Sequence, residues 1–207
     1  MDTRARNAAA ALAACFVVLA SWVAIAGSFP GDEWVLVHLY DAIGTSWDDA
    51  MVTVGDLTDL APLVAVSLVT VAALLVAKRR PDAVRFTAIV AVVFVVNPIL
   101  KVIVNRPRPD IRPSPEELSN FSFPSGHAAS TAAVVGGLVL LVRSPGRRRL
   151  AAVVGAAVLA LVGFSRLAIG VHYPSDIVGA WLWVAAWIIV VCSTGRDEAG
   201  PTKIKPR

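Results

Sequence analysis

The sequence is poor in charge. Only 16% of its 207 residues are Asp, Glu, Lys or Arg, against about a quarter in a soluble globular domain. A deficit that large argues against an ordinary water-soluble fold. Cysteine is scarce as well: Cys15 and Cys192 are the only two. Two cysteines inside apolar runs make neither a disulfide framework nor a metal site, and read as buried small hydrophobes. No Lys/Arg cluster is interleaved with aromatic residues, so nucleic-acid binding has no support. No internal repeat of useful strength is found, and the formal charge of +4 is modest. What the chain has in excess is apolar length. Hydrophobic residues make up 57% and the mean hydropathy is +0.69, concentrated in long runs that point to a bilayer rather than to a large core.

Six apolar segments can be read, near 8–27, 60–77, 84–104, 126–142, 150–169 and 175–193. Each is long enough, or nearly so, to cross roughly 30 Å of hydrocarbon at about 1.5 Å per residue. Spanning backbone must satisfy its own polar groups, so all six are expected to be helices. The fold expected is therefore all-α, an integral membrane bundle of six transmembrane helices. Orientation follows from the basic residues. Arg4, Arg6, Lys78, Arg79, Arg80, Arg85, Arg143, Arg147, Arg148, Arg149, Arg196, Lys203, Lys205 and Arg207 all fall on one side of that bundle. The positive-inside bias makes that side cytoplasmic, with both termini there. The other five of the nineteen basic residues, Lys101, Arg106, Arg108, Arg112 and Arg166, fall on the outer side or at its edge. They run against the bias and need another reason to be there.

The first segment resembles a signal peptide at Ala24-Ile25-Ala26, but its apolar stretch exceeds a signal core, and it reads as a retained span. The connection 28–59 is acidic, with Asp32, Glu33, Asp41, Asp48, Asp49, Asp56 and Asp59. These read as a solvated outer surface. Trp34, Leu36, Val37, Tyr40 and Ile43 suggest a short amphipathic helix at the interface, with Trp47 as an anchor and His38 as an ordinary interfacial histidine. Residues 1–194 are expected to form a single membrane-embedded domain, and the polar segment 195–207 a disordered cytoplasmic tail.

Three clusters remain, each at the outer end of a span. Lys101 to Arg108-Pro109 lies where the third span exits. Pro124-Ser125-Gly126-His127 lies where the fourth enters. Ser165-Arg166, His172 and Asp176 bridge the fifth and sixth. Charged groups at membrane depth are costly and usually functional. Lys101, Arg108 and Arg166 offer about three positive charges to one small site, which suits a phosphate group. Ser125 and Gly126 open a helix, whose free N–H groups favour an anion, and glycine permits close approach. Two histidines suit a two-step transfer, one attacking phosphorus and the other protonating the departing oxygen. His172 and Asp176 are four apart, so a helical turn puts them on one face and lets the carboxylate fix the imidazole tautomer. That makes His172 the nucleophile and His127 the acid. Singly, each feature has a bland reading: Lys101 snorkelling, the loop arginines meeting headgroups, Pro124-Ser125-Gly126 as a cap. Jointly, the convergence favours a site.

The neighbours are less determined. Asn97 either holds the Lys101 ammonium or satisfies backbone freed by Pro98. Arg106 and Arg112 bind a second phosphate or a headgroup, or simply belong to a solvated loop, which is the favoured reading. The loop 105–123, with Pro107, Pro109, Pro113 and Pro115, is expected to be extended. Phe121 and Phe123 either dip toward the bilayer or pack, and Trp181, Trp183 and Trp187 face lipid or neighbouring helices.

The three clusters resemble the signature motifs of the type-2 phosphatidic acid phosphatase superfamily: Lys, six residues, Arg-Pro; then Pro-Ser-Gly-His; then Ser-Arg, five residues, His, three residues, Asp. Every fixed position and spacing is matched, and the six-span layout resembles the membrane branch of that family. The resemblance implies a phosphatase that works without metal or other cofactor through a phosphohistidine intermediate. It implies that Lys101, Arg108 and Arg166, with Ser125 and Gly126, bind phosphate, that His127 is the acid, His172 the nucleophile and Asp176 its partner.

The expected substrate is a lipid phosphate or diphosphate, with a polyprenyl diphosphate such as undecaprenyl diphosphate favoured and phosphatidylglycerophosphate or phosphatidate as alternatives. Lipid-linked phosphotransferases share the motifs. So do vanadium haloperoxidases, but these are soluble, and six spans argue against them. A non-catalytic lipid-binding or transport bundle is the rival of another class. The expected setting is a bacterial inner membrane, with the site on the extracytoplasmic side, surrounding lipids as neighbours and no obligate protein partner.

Overall fold

Helix boundaries follow local chemistry. The structure, a computed structural model, describes residues 2–116 and 121–194. Among them are eight helices and no strand: α1 Thr3–Ala26, α2 Asp32–Ile43, α3 Asp48–Leu57, α4 Leu60–Val76, α5 Arg80–Val104, α6 Gly126–Leu141, α7 Pro145–Ala168 and α8 Pro174–Thr194. The side chain of Asp2 caps α1 by accepting from the Arg4 N–H at 3.3 Å. Proline stands in the first turn of α5, α7 and α8, where its missing N–H costs nothing. Asn105 ends α5 in the left-handed region, at φ 55°, which asparagine tolerates. The tail 195–207 lies outside the described residues.

The six apolar segments are thus all helical. Among the described residues five helical spans are long and apolar enough to cross a membrane, with α3 and α4 together forming one of them. The exception is α6, whose 16 residues reach only about 24 Å. It compensates by position. It packs against α4, α5, α7 and α8, and Ala128, Ala129, Thr131, Ala132 and Ala133 are all buried. These small side chains let the surrounding helices approach closely. The core is built around this helix by Phe86, Ile89, Val90 and Val93 of α5 and by Ile177, Ala180, Trp183 and Val184 of α8.

The outward faces are apolar. Val17, Val18 and Ile25 on α1, Leu68 and Val69 on α4, Val102 and Ile103 on α5, and Leu150 and Val153 on α7 are exposed. Surface of that extent and character is unusual for a water-soluble monomer; the chain is a multi-pass membrane protein. Cys15 lies on this exposed face rather than buried as expected, because a helix surrounded by lipid can turn a small thiol outward at little cost.

The connection 28–59 differs most from expectation. It holds two helices, α2 and α3, laid over the ends of α7 and α8. Asp32 is 2% exposed, and Asp48 pairs with Arg112. These carboxylates are not a solvated surface, because each meets a buried arginine.

Candidate active site

The three clusters converge. Lys101, Arg108, Gly126, His127 and His172 line one cavity of about 290 Å³, together with Asp59, Asn97, Ser130 and the apolar residues Leu60, Phe94 and Pro98. α5 supplies Lys101 from its last turn, α6 supplies Gly126 and His127 from its first, and the turn before α8 supplies His172. Gly170, at φ +73°, makes the reversal after α7 that sends the chain to His172; a side chain there would be strained.

His172 is 2% exposed. Its Nδ1 lies 3.2 Å from Asp176 Oδ2, so the carboxylate accepts the ring proton there and leaves Nε2 with its lone pair. Nε2 lies 3.4 Å from Arg108 Nη1. Arg108 is aimed by donating to the Val171 carbonyl at 2.7 Å. Burial, reinforced by Lys101, Arg108, His127 and Arg166, holds the His172 imidazole well below the usual histidine range. It is neutral at ordinary pH.

The other expected residues sit as follows. Lys101 donates to the Phe121 carbonyl at 2.6 Å. Ser125 is fully buried and caps α6 by accepting from the Ala128 N–H at 3.4 Å. A Cβ on Gly126 would meet nothing nearer than the Lys101 Cε at 3.8 Å, so protein packing does not demand glycine there. His127 Nε2 lies 2.8 Å from the Asp59 carboxylate. Asp176 stands behind His172 and not in the cavity wall. Arg166 is also set back: Nη1 donates to both oxygens of Glu116 at 2.9 and 3.1 Å, Nη2 to the Met51 carbonyl at 2.7 Å, and Nε to Ser165 Oγ at 3.2 Å.

Several neighbours depart from the sequence reading. Arg106 and Arg112 are buried, at 1% and 8% exposure, and not parts of a solvated loop. Arg112 donates to the Ala168 carbonyl at 3.1 Å and the Gly44 carbonyl at 3.3 Å, so it satisfies carbonyls that the ends of α7 and α2 leave open. Arg106 bonds Asp32 and Asp176. Asn97 does neither task foreseen for it: it donates to the Pro124 carbonyl at 3.4 Å and accepts from Trp183 Nε1 at 3.2 Å. Phe123 is buried and stacks on Phe16 at 5.9 Å. Asp32, Met51, Gly55, Asp59 and Glu116 are contributors the sequence did not single out.

Gly55 of α3 shows how closely this layer fits. A Cβ there would lie 2.2 Å from Arg166 Nη2. The guanidinium is pinned by Glu116, Met51 and Ser165, so it cannot yield without losing bonds. A lost charge-assisted bond is worth about 1.5–3 kcal/mol. Gly55→Ala is expected to destabilise the fold by about that much, read as a lowered thermal unfolding midpoint against wild type in the same detergent.

With this geometry in place, comparison with known proteins defines the class. The PAP2 superfamily model matches residues 82–198, more than half of the chain, and the chain belongs to that superfamily. Among individual proteins, it is similar to phosphatidylglycerophosphatase B of Bacillus subtilis (strain 168), 36% identical over 90 residues, which is 41% of this chain and 44% of that protein. It is also similar to undecaprenyl-diphosphatase of Sulfolobus acidocaldarius, 30% identical over 142 residues, which is 65% of this chain and 66% of that protein. The matched region therefore spans less than two thirds of either curated relative. In fold, it resembles the crystal structure of a transmembrane PAP2-type phosphatidylglycerolphosphate phosphatase from Bacillus subtilis. The TM-score is 0.77 at 22% identity, covering 95% of this chain and 98% of that one.

Proposed function

We propose that this protein is a metal-independent membrane phosphatase that hydrolyses lipid phosphates or diphosphates through a phosphohistidine intermediate. The observation that carries the reading is the presentation of His172: its Nε2 faces a cation-lined cavity while Asp176 holds Nδ1 from behind at 3.2 Å. Nε2 attacks phosphorus, and the bond from phosphorus to the leaving oxygen breaks. His127 delivers a proton to that oxygen. Water then attacks the phosphorus of phosphohistidine, returns a proton to His127, and releases inorganic phosphate and neutral His172. Lys101, Arg108 and Arg166, with Ser125 and Gly126, hold the phosphate oxygens and stabilise the charge of the transition state. The family and the named relatives support the reaction class.

A lipid is favoured as the carrier of the phosphate. The cavity wall contains Leu60, Phe94 and Pro98, and Phe94 also ends an apolar groove of about 230 Å³ between α4 and α5, lined by Val64, Leu68, Val71 and Val90. A tail in that groove puts its head at His172. A polyprenyl diphosphate such as undecaprenyl diphosphate is one candidate substrate, supported by the relative aligned over more of the chain. Phosphatidylglycerophosphate is supported equally by the other curated relative.

The basic residues at the starts of α1, α5 and α7 favour a cytoplasmic location for that end. The site then faces the extracytoplasmic side of a cell membrane, with α2 and α3 at the interface. Phosphate release from a panel of diphosphate and monophosphate lipids, with EDTA present and no acceptor, tests the reading. Hydrolysis supports it; transfer only when an acceptor lipid or sugar is added would make the protein a phosphotransferase, and no release by either route would leave a binding bundle.

Glu116 makes a further expectation. Its carboxylate occupies the fork of Arg166, so a phosphate engaging Arg166 competes with it. Glu116→Gln removes the competing charge. Inorganic phosphate and vanadate are expected to inhibit that variant about tenfold more tightly. Unchanged inhibition would show that the phosphate does not engage Arg166.

A further inference from the structure

The His172–Asp176 couple is not held by α8 alone. Asp176 Oδ2 accepts from His172 Nδ1 and from the Tyr173 N–H at 2.9 Å, and Oδ1 accepts from Arg106 Nη1 at 2.6 Å. The orientation of Arg106 is fixed in turn. Its Nη2 donates to Asp32 Oδ2 at 2.7 Å, its Nε to the Gly27 carbonyl at 3.1 Å, and the Tyr173 ring lies 3.9 Å from the guanidinium carbon. Asp32 also accepts from Ser175, the residue before Asp176: from its N–H at 3.0 Å and its hydroxyl at 2.5 Å. Asp32 therefore grips both the cation that holds Asp176 and the backbone that carries it.

We infer that Asp32 is a positioning residue for the nucleophile, acting on His172 through Arg106, Ser175 and Asp176. The inference rests on His172 being that nucleophile. Asp32 lies outside the segment 82–198 that defines the family match; α2 brings it to the site from 143 residues away in sequence. Asp32, Arg106 and Asp176 are each at least 98% buried. In so dry a place an arginine that loses one carboxylate turns toward the other or toward water, and either motion moves Asp176. The charges matter too. Two carboxylates face one guanidinium, so the cluster carries net negative charge on the Nδ1 side of His172. That charge stabilises the imidazolium character that develops as Nε2 bonds to phosphorus.

A purely structural clamp would use the same contacts, to fasten α2 to the bundle. A double-mutant cycle separates the two roles. Asp32→Asn, Asp176→Asn and their combination are compared with wild type in phosphate release, using undecaprenyl diphosphate or phosphatidylglycerophosphate, whichever the wild type turns over. Asp32→Asn is expected to lower kcat about tenfold, with KM within about twofold of wild type. In the Asp176→Asn background the same change is expected to cost less than about twofold, because the residue it acts through is gone. A kcat for Asp32→Asn within about twofold of wild type, or losses that multiply in the double variant, would overturn the proposal.

Should Asp32→Asn not fold, Ser175→Ala decides. It removes one hydroxyl and no charge, and is expected to lower kcat about threefold to tenfold at unchanged KM; wild-type kcat in that variant overturns the proposal. Failure of the underlying reading looks different: wild type releases no phosphate from any lipid, or His172→Ala matches it. Either result overturns both readings, whereas the positioning proposal falls alone when those controls behave.

Discussion

His172→Ala is expected to lose more than about a hundredfold in phosphate release. The variant removes the cavity imidazole whose Nδ1 is held by the buried carboxylate of Asp176. Its fold should persist, since the side chain leaves a small cavity and its partner Asp176 keeps Arg106 and the Tyr173 N–H. Turnover near wild type would sink the assignment of the nucleophile. The pH profile gives a second reading. Attack requires neutral imidazole, and burial with the surrounding cations holds the His172 pKa well below its ordinary value. The acid limb of kcat/KM, which reports the free enzyme, should therefore lie below about pH 6.5, the unperturbed histidine value. A limb at or above that value would contradict the electrostatics of the site.

The second large effect is expected at Arg166. The side chain is fully buried and all three of its nitrogens donate hydrogen bonds. Lysine carries the same charge but cannot reproduce a planar fork. Arg166→Lys should therefore lose about a hundredfold in kcat/KM, since it can satisfy neither the Met51 carbonyl nor two phosphate oxygens in the same geometry. Arg166→Ala should lose at least as much and also lower thermal stability, because its bonds to Glu116, Ser165 and the Met51 carbonyl are lost. Retention of more than about a third of wild-type efficiency in the lysine variant would remove Arg166 from the phosphate site.

Much of this site was legible in the sequence, for a definite reason. Lys101, Arg108, Gly126, His127 and His172 sit at the ends of apolar runs, and a membrane forces such ends to a common depth. Spacing within each run then puts the residues on the right face. Of the five basic residues that stood apart from the other fourteen, three had a motif to explain them. Arg106 and Arg112 lie in a Pro-rich loop that reads as solvated; what buries them is α2 and α3, and nothing in the sequence says that those helices fold back over the bundle. Asp32 read as one of the acidic residues of a solvated outer surface. Its partners lie 74 and 143 residues away, beyond any local pattern. Gly55 is equally silent: a glycine in a short helix does not announce an arginine against it. The shortness of α6 was legible, because the apolar run 126–142 is only one residue longer than the helix.

The cavity that holds His172 is lined by Leu60, Phe94 and Pro98, and Phe94 also lines the apolar groove between α4 and α5. On the reading proposed above, a substrate arrives by diffusion in two dimensions rather than from solution. What saturates the enzyme is then the number of phosphate-bearing lipids per area of bilayer. Inert lipid added to the same sample would dilute the substrate without changing its amount per litre, and the protein's apparent affinity would be a property of the membrane it sits in as much as of its own side chains.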